Sequence, residues 1–424
     1  MEGEDEAVRW LRRVACLSPA EAPSLRCGGS EECVERCDAA TLTRAQFWRR
    51  FLVPNRPVLL TGVTTSWHCA NEWVCADGSP DLAALAARFG SVAVQVTDCA
   101  ETSAPRMSWS LEQFCEYLTQ HQAGADSRLL YMTDVHLAAL EPTLYSVPAL
   151  FRDDWLNAFY DERCAGATTE CRDYRFVYLG PPGTHTPLHA DVLRSLSWSV
   201  NLTGTKRWLL FPPDQSPLLR GRGGALPENL AAELAQPSGA FPELPLARHL
   251  RELLQGPGEA LFVPSGWHHT VENTGTVPVL SVNHNWFNAA SVDVTWRYLQ
   301  QDAESAAACI DDLRCSLSSA EFEALVQRNL RANAGLDYAQ FATLLYGAVR
   351  DSRHALLHAG EGDSLETVLS AMACRRAGAI LREMGEQPSM LAASTEEGEE
   401  PLQCAEWANE LSALLVSAGF PALP

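Results

Sequence analysis

Between Tyr174 and Trp286 the chain breaks into short apolar runs separated by Pro and Gly, a texture that few folds accommodate. The runs are Tyr174–Leu179, Thr184–His189, Ser197–Leu202, Lys206–Phe211, Ala260–Val263, His269–Glu272 and Val279–Asn285. Gly180-Pro181-Pro182-Gly183 and Thr203-Gly204-Thr205 supply reversals, and the second has the composition of a hairpin tip. Strands this short cannot bury a face in isolation, so they must assemble into a sandwich or a jelly-roll barrel. Asp214–Gln255 interrupts the series with Pro/Gly-rich sequence and helical stretches, and reads as an insertion lying over one end of the barrel.

The flanks have a different period. A helix is expected around Ala7–Ala15, followed by a polar loop containing Gly and Cys. Thr43-Arg44-Ala45-Gln46 is a capping-box pattern, and Phe47, Trp48, Phe51 and Leu52 follow on one helical face. Val58–Thr61 and Ser91–Thr97 read as strands, Asp81–Phe89 as a helix, and Ser110-Leu111-Glu112-Gln113 as the start of another through Leu118. After Asn288 the pattern is helical to about Met384; Gln387–Pro401 is a polar, acidic linker, and Cys404–Ser417 a short terminal helix. The divisions are therefore 1–45, an α/β support region 46–170, the strand-rich core 171–290 with its insertion at 214–255, a helical region 291–385, the linker 386–401 and the final helix 402–424.

The net charge of −21 disfavours general nucleic-acid binding and anionic membranes, and suits a basic partner. Fourteen cysteines are present, yet Cys27, Cys33 and Cys37 match no paired Cys-x-x-Cys spacing. No charged-then-apolar leader opens the sequence and no apolar run approaches the length of a membrane span, so reduced thiols in the cytoplasm or nucleus are expected.

Chemistry concentrates in the core. His189-Ala190-Asp191 places an imidazole and a carboxylate two residues apart where a strand meets a turn, on one side of the chain. A third ligand must come from a facing strand, and Trp267-His268-His269-Thr270 offers two histidines. Strand neighbours face opposite sides, so only one of them can join. Two histidines and a carboxylate are the facial set that holds non-haem Fe(II) with open positions for a 2-oxo acid and O2. Lys206 is the single lysine among 32 Lys and Arg residues. Lysine provides a compact ammonium on a slender stem where the wide guanidinium fork of arginine would not enter. His284 reads as a core group, His354 and His358 as an exposed helical pair, and Trp198, Trp208, Trp267 and Trp286 as barrel packing.

Asp173-Tyr174-Arg175-Phe176, Pro187-Leu188-His189-Ala190-Asp191, Ser197-Trp198-Ser199-Val200-Asn201, Lys206-Arg207-Trp208-Leu209-Leu210-Phe211-Pro212-Pro213 and Val263-Pro264-Ser265-Gly266-Trp267-His268-His269 together resemble the JmjC (cupin-type) 2-oxoglutarate oxygenases, over roughly Arg49–Leu299. The resemblance implies an α+β fold: a double-stranded β-helix (jelly-roll, cupin) barrel with flanking helices and a C-terminal helical region. It selects His269 over His268, so that His189, Asp191 and His269 bind Fe(II). It gives Lys206 the distal carboxylate of 2-oxoglutarate, with Tyr178, Thr186 and Asn283 as further hydrogen-bonding partners of the co-substrate. Two departures accompany it. Strict alternation groups His185, Pro187 and His189 and puts Thr186 on the other face, unless Pro187 breaks the pleat. Ser197 and Ser199 also stand where some members carry an asparagine.

The motifs are closest to the branch of the family that hydroxylates a lysine of the eukaryotic translation-termination release factor. That resemblance implies a lysyl hydroxylase with a basic protein substrate and O2 as co-substrate. A histone N-methyl-lysine demethylase would use the same iron site, although no Cys/His zinc module of the chromatin-reader sort accompanies it here. A non-catalytic cupin scaffold would have no need of all four groups. The C-terminal helices are expected to buttress the barrel, with a homodimer through them as the other use.

Overall fold

The computed structural model describes residues 3–17, 33–100, 106–164, 173–358, 364–386 and 402–423. Strand β1 (Glu35–Asp38) pairs in parallel with β2 (Val58–Thr61), a strand in the stretch expected to be loop. Between them Thr43 caps the helix Arg44–Phe47 through a complete capping box, and the chain then widens into a π-type turn, Trp48–Leu52. Farther on, β3 (Ala93–Asp98), β4 (Met107–Ser110) and β5 (Leu130–Val135) frame a helix, Leu111–Gln122, capped by Ser110.

Eight strands form the barrel: β6 (Arg175–Gly180), β7 (His185–Ala190), β8 (Leu196–Asn201), β9 (Thr205–Phe211), β10 (Arg251–Gln255), β11 (Ala260–Val263), β12 (His268–Thr274) and β13 (Val279–Trp286). Consecutive strands mostly change sheet. One sheet has the order β1-β2-β11-β8-β13-β6-β5-β3-β4 and the other β10-β9-β12-β7. Its central four strands and the facing four make the double-stranded β-helix that the sequence implied. Thr203-Gly204-Thr205 is therefore not a hairpin tip: β8 pairs with β11 and β13, β9 with β10 and β12, and the turn carries the chain between sheets. Gly204 makes that turn at φ 66°, and a Cβ there would lie 2.7 Å from Val279 Cγ2.

Alternation along these strands sorts the core into layers. Leu59, Trp208, Leu210, Leu261, Val263, Trp267 and Val271 fill the barrel interior. On the back of the large sheet, Phe151 stacks on Trp198 and on Phe262 at 5.8 and 6.1 Å between ring centroids, sealing the support region onto the barrel. The 214–255 segment departs from expectation in two ways. Its last residues are β10 itself, and Leu219, Leu230 and Leu244 cover Leu188, Leu209 and Phe211 on the outer face of the smaller sheet rather than one end of the barrel. That face alternates apolar residues and had to be covered by something.

The helices Val292–Cys309, Ser319–Ala334, Tyr338–Ala348, Arg350–Leu357 and Leu365–Gly385 follow, with Trp296 stacked on Phe341 at 5.9 Å. Leu365–Gly385 is buried along most of its length, and Cys404–Ser417 has the bounds expected for it. The acidic linker and Cys27 lie outside the described residues; Cys33 is exposed and Cys37 half-buried. Among the described residues no helix is long and apolar enough to cross a membrane.

Candidate metal centre

Strands β7 and β12 run antiparallel with His189 directly opposite His269, and the two imidazole centroids are 4.3 Å apart. The register then slips: Thr186 faces Val271, so Pro187 and Leu188 share the space opposite Thr270. Pro187 has no N–H to give the ladder, which makes this the natural place for a bulge. The extra residue reverses the alternation, so Thr186 and His189 line the same cavity although three residues apart. His185 faces a separate outer cavity beside Cys99, Arg207 and Glu272, and does not share a face with His189 as strict alternation would have it.

Asp191 follows β7, and its Oδ2 accepts a hydrogen bond from Ser197 Oγ at 2.7 Å. One ligand atom each from His189, Asp191 and His269 lies within 4.8 Å of the others, close enough to share an ion. His189 Nδ1–H donates to the Pro187 carbonyl at 2.9 Å and His269 Nδ1–H to the Trp267 carbonyl at 3.3 Å. A carbonyl can only accept, so each contact fixes the tautomer that leaves the Nε2 lone pair free for a metal. Burial, with His189 as the next cause, pushes His269 down to about 4, which keeps it neutral at physiological pH. His268 points to the other side of the strand, where its Nδ1 meets Ser216 Oγ at 3.0 Å, and it is not part of the cluster.

Lys206 is 2% exposed. Its ammonium donates to Ser281 Oγ at 2.6 Å and to Ser199 Oγ at 3.4 Å, with the Tyr178 and Trp208 rings each at 5.7 Å. Among the described residues no carboxylate meets it, and burial pulls its pKa down to about 7. A buried cation without a counter-charge costs free energy that an anionic ligand recovers. A lysine in this position, beside a His/Asp/His cluster, therefore fits a metal with a carboxylate-bearing co-substrate.

The three remaining candidate residues also line this cavity. Asn283 Nδ2 donates to Ser281 Oγ at 3.2 Å. The Tyr178 hydroxyl donates to Asp134 Oδ1 at 2.8 Å, and is thus engaged at the edge of the cavity. Tyr131, Ser281 and Asn285 take part without having been singled out from sequence. Ser281 was within reach of the period-two rule, being two residues before Asn283; Tyr131 stands on β5, a strand that had no expected counterpart. Trp208 lines the cavity as well as packing the barrel. His284 is fully buried in the back core, stacked on Trp198 at 4.0 Å with its Nε2 at 2.7 Å from the Tyr145 hydroxyl. His354 and His358 pair on a helix outside the cluster, their ring centroids 4.5 Å apart.

A family model described as a cupin-like domain matches residues 44–291. The chain is 35% identical over 341 residues to the 2-oxoglutarate and iron-dependent oxygenase JMJD4 of Danio rerio, a match covering 78% of each chain. It is 37% identical over 306 residues to JMJD4 of Homo sapiens, covering 70% of this chain and 71% of that one. The arginine-specific demethylase JMJ20 of Arabidopsis thaliana is 38% identical over 324 residues, covering 73% of this chain and 68% of its own. Since the cupin-like domain spans more than half of the sequence and relatives of this kind align with more than two-thirds of it, the chain belongs to the cupin-like JmjC family of 2-oxoglutarate- and iron-dependent oxygenases.

Proposed function

We propose that this oxygenase is a protein hydroxylase acting on a lysine side chain of a basic protein, with the eukaryotic translation-termination release factor as the substrate. The observation that carries the reading is the pairing of the His189, Asp191 and His269 cluster with the one buried, uncompensated ammonium, Lys206. The net charge of −21 favours encounter with a basic partner. The free thiols among the described cysteines suit a reducing compartment, the cytoplasm or the nucleus. The C-terminal helices serve first as a buttress, with self-association through them as a second use.

Each side chain has a task. His189, Asp191 and His269 would hold the iron, and Ser197 fixes the rotamer of Asp191 by its hydrogen bond. Lys206, steered by Ser281 and Ser199, would hold the distal carboxylate of 2-oxoglutarate. The apolar barrel interior excludes water from the reacting atoms. The bound metal and co-substrate supply the oxidising power: O2 is consumed, 2-oxoglutarate leaves as succinate and carbon dioxide, and one oxygen atom enters the substrate C–H bond.

Mass spectrometry of release-factor peptides incubated with the enzyme, Fe(II) and 2-oxoglutarate should show one added oxygen on a lysine. Unmodified peptides under full co-substrate turnover would refute the lysyl assignment. A second reading, demethylation, is favoured by the relative named as an arginine-specific demethylase. Formaldehyde released from methyl-arginine or methyl-lysine peptides, without hydroxylated product, would select it instead.

A further inference from the structure

We propose that Asp134, together with the Tyr178 hydroxyl it binds, is the seat for the cationic end of the target side chain. The inference rests on the hydroxylase reading and deepens it.

Asp134 adopts φ 60°, a left-handed conformation inside strand β5. It falls where the register with β6 shifts: Met132 faces Leu179, but Val135 faces Val177, which leaves Thr133 and Asp134 opposite Tyr178. A left-handed non-glycine residue is strained by on the order of 1 kcal/mol, and such strain is found where a side chain has to be re-aimed. Here the bulge turns a carboxylate toward Tyr178, whose hydroxyl donates to Oδ1 at 2.8 Å. Oδ2 accepts from Thr133 Oγ1 at 3.2 Å and from Arg106 at 3.0 Å.

Position gives this carboxylate its meaning. Tyr178 lines the cavity that contains His189, Asp191, Lys206 and His269. Asp191 is the only acidic residue among the described lining residues, and it belongs to the metal cluster. Asp134 therefore stands one hydroxyl removed from the cavity, on the strand that neighbours β6 in the large sheet. Its side chain is 35% exposed and that of Arg106 58% exposed. An exposed ion pair of this kind is held by at most about 1 kcal/mol and is readily exchanged. Arg106 thus occupies the place that a substrate ammonium takes on docking. A lysine anchored there by its tip leaves the carbons of its stem, which carry no charge, as the part available for oxidation.

The test measures binding and turnover of a fluorescein-labelled basic peptide with one lysine, beside the same peptide with norleucine in its place. Asp134→Asn preserves size and tolerates the left-handed backbone, and should weaken the lysine peptide about tenfold while leaving the norleucine peptide within about twofold. Arg106→Ala should act in the opposite direction, tightening the lysine peptide by about twofold to fivefold as the internal competitor is removed. Equal affinity of the wild type for both peptides, equal weakening of both by Asp134→Asn, or weaker lysine binding in Arg106→Ala would each overturn the seat. The last two patterns would mean that Asp134 only holds Tyr178 or a loop in place. Lysine preference without any oxidised lysine would refute the hydroxylase reading and leave the seat standing; lysine oxidation indifferent to Asp134 would do the reverse.

Discussion

His269→Ala should leave the protein unable to retain iron and lower 2-oxoglutarate turnover by more than about a hundredfold, since even partners that merely orient a metal ligand are worth 10- to 100-fold. His268→Ala should keep the metal. The residues are adjacent and both are buried, so neither exposure nor local sequence separates them. Direction along β12 does. His269 faces His189 across the ladder, while His268 is turned toward Ser216 at the start of the 214–255 segment. The His268 substitution should instead cost about 1 to 2 kcal/mol of stability through the lost contact with Ser216. Metal content of the purified variants, read beside their thermal midpoints, separates the two effects. Equal metal loss from both variants would refute the assignment.

Lys206→Met should make the protein more stable and inactive. The ordinary pKa of lysine is 10.5, and burial brings it to about 7 in the fold. Between those values the unfolded chain binds the proton and the folded one does not, so stability rises with pH across that window. At or below pH 7 the buried charge costs on the order of 5 kcal/mol. Methionine removes that cost but strands the Ser199 and Ser281 hydroxyls, for a net gain of about 2 kcal/mol at neutral pH. Lys206→Arg should not restore function, because a wide planar fork would replace the compact ammonium held by Ser199 and Ser281 between the Tyr178 and Trp208 rings. The same pKa governs the wild type. A dianionic co-substrate needs the protonated amine, so its affinity should be full below about pH 7 and fall about tenfold per pH unit above it. Calorimetric titration of 2-oxoglutarate from pH 6 to 9 reads this directly, and a flat profile would refute it.

The sequence was most legible where one local rule decided the outcome. Val58–Thr61, Ala260–Val263 and Cys404–Ser417 have the bounds their patterns implied, and Thr43 and Ser110 cap helices as their boxes required. Legibility failed where pairing partners are distant. Thr203-Gly204-Thr205 has the chemistry of a hairpin tip, yet only the choice of sheet by β8 and β9 shows that the turn crosses the barrel. β10 was absorbed into an apparent insertion because Arg251-Glu252-Leu253-Leu254-Gln255 acquires its strand identity from β9 alongside it. Thr186 illustrates both sides. Alternation put it on the wrong face, and the proline that moves it was visible, but the bulge is a property of the β7–β12 pair. Asp134 left no sequence signal, since a left-handed aspartate within a strand is created by its neighbours.

The alternation of strands between sheets has a consequence for biogenesis. The inner partners of β6 and β8 include β13, the last barrel strand to be synthesised, and Ser281 on that strand is what orients Lys206. A ribosome that has delivered the chain only as far as the metal ligands has not yet supplied the hydroxyl or the strand that close the chamber. Such long-range pairing folds slowly and late. Assembly of a working centre is consequently a single event that waits for β13, and nascent chains stalled before Val279 should emerge without iron.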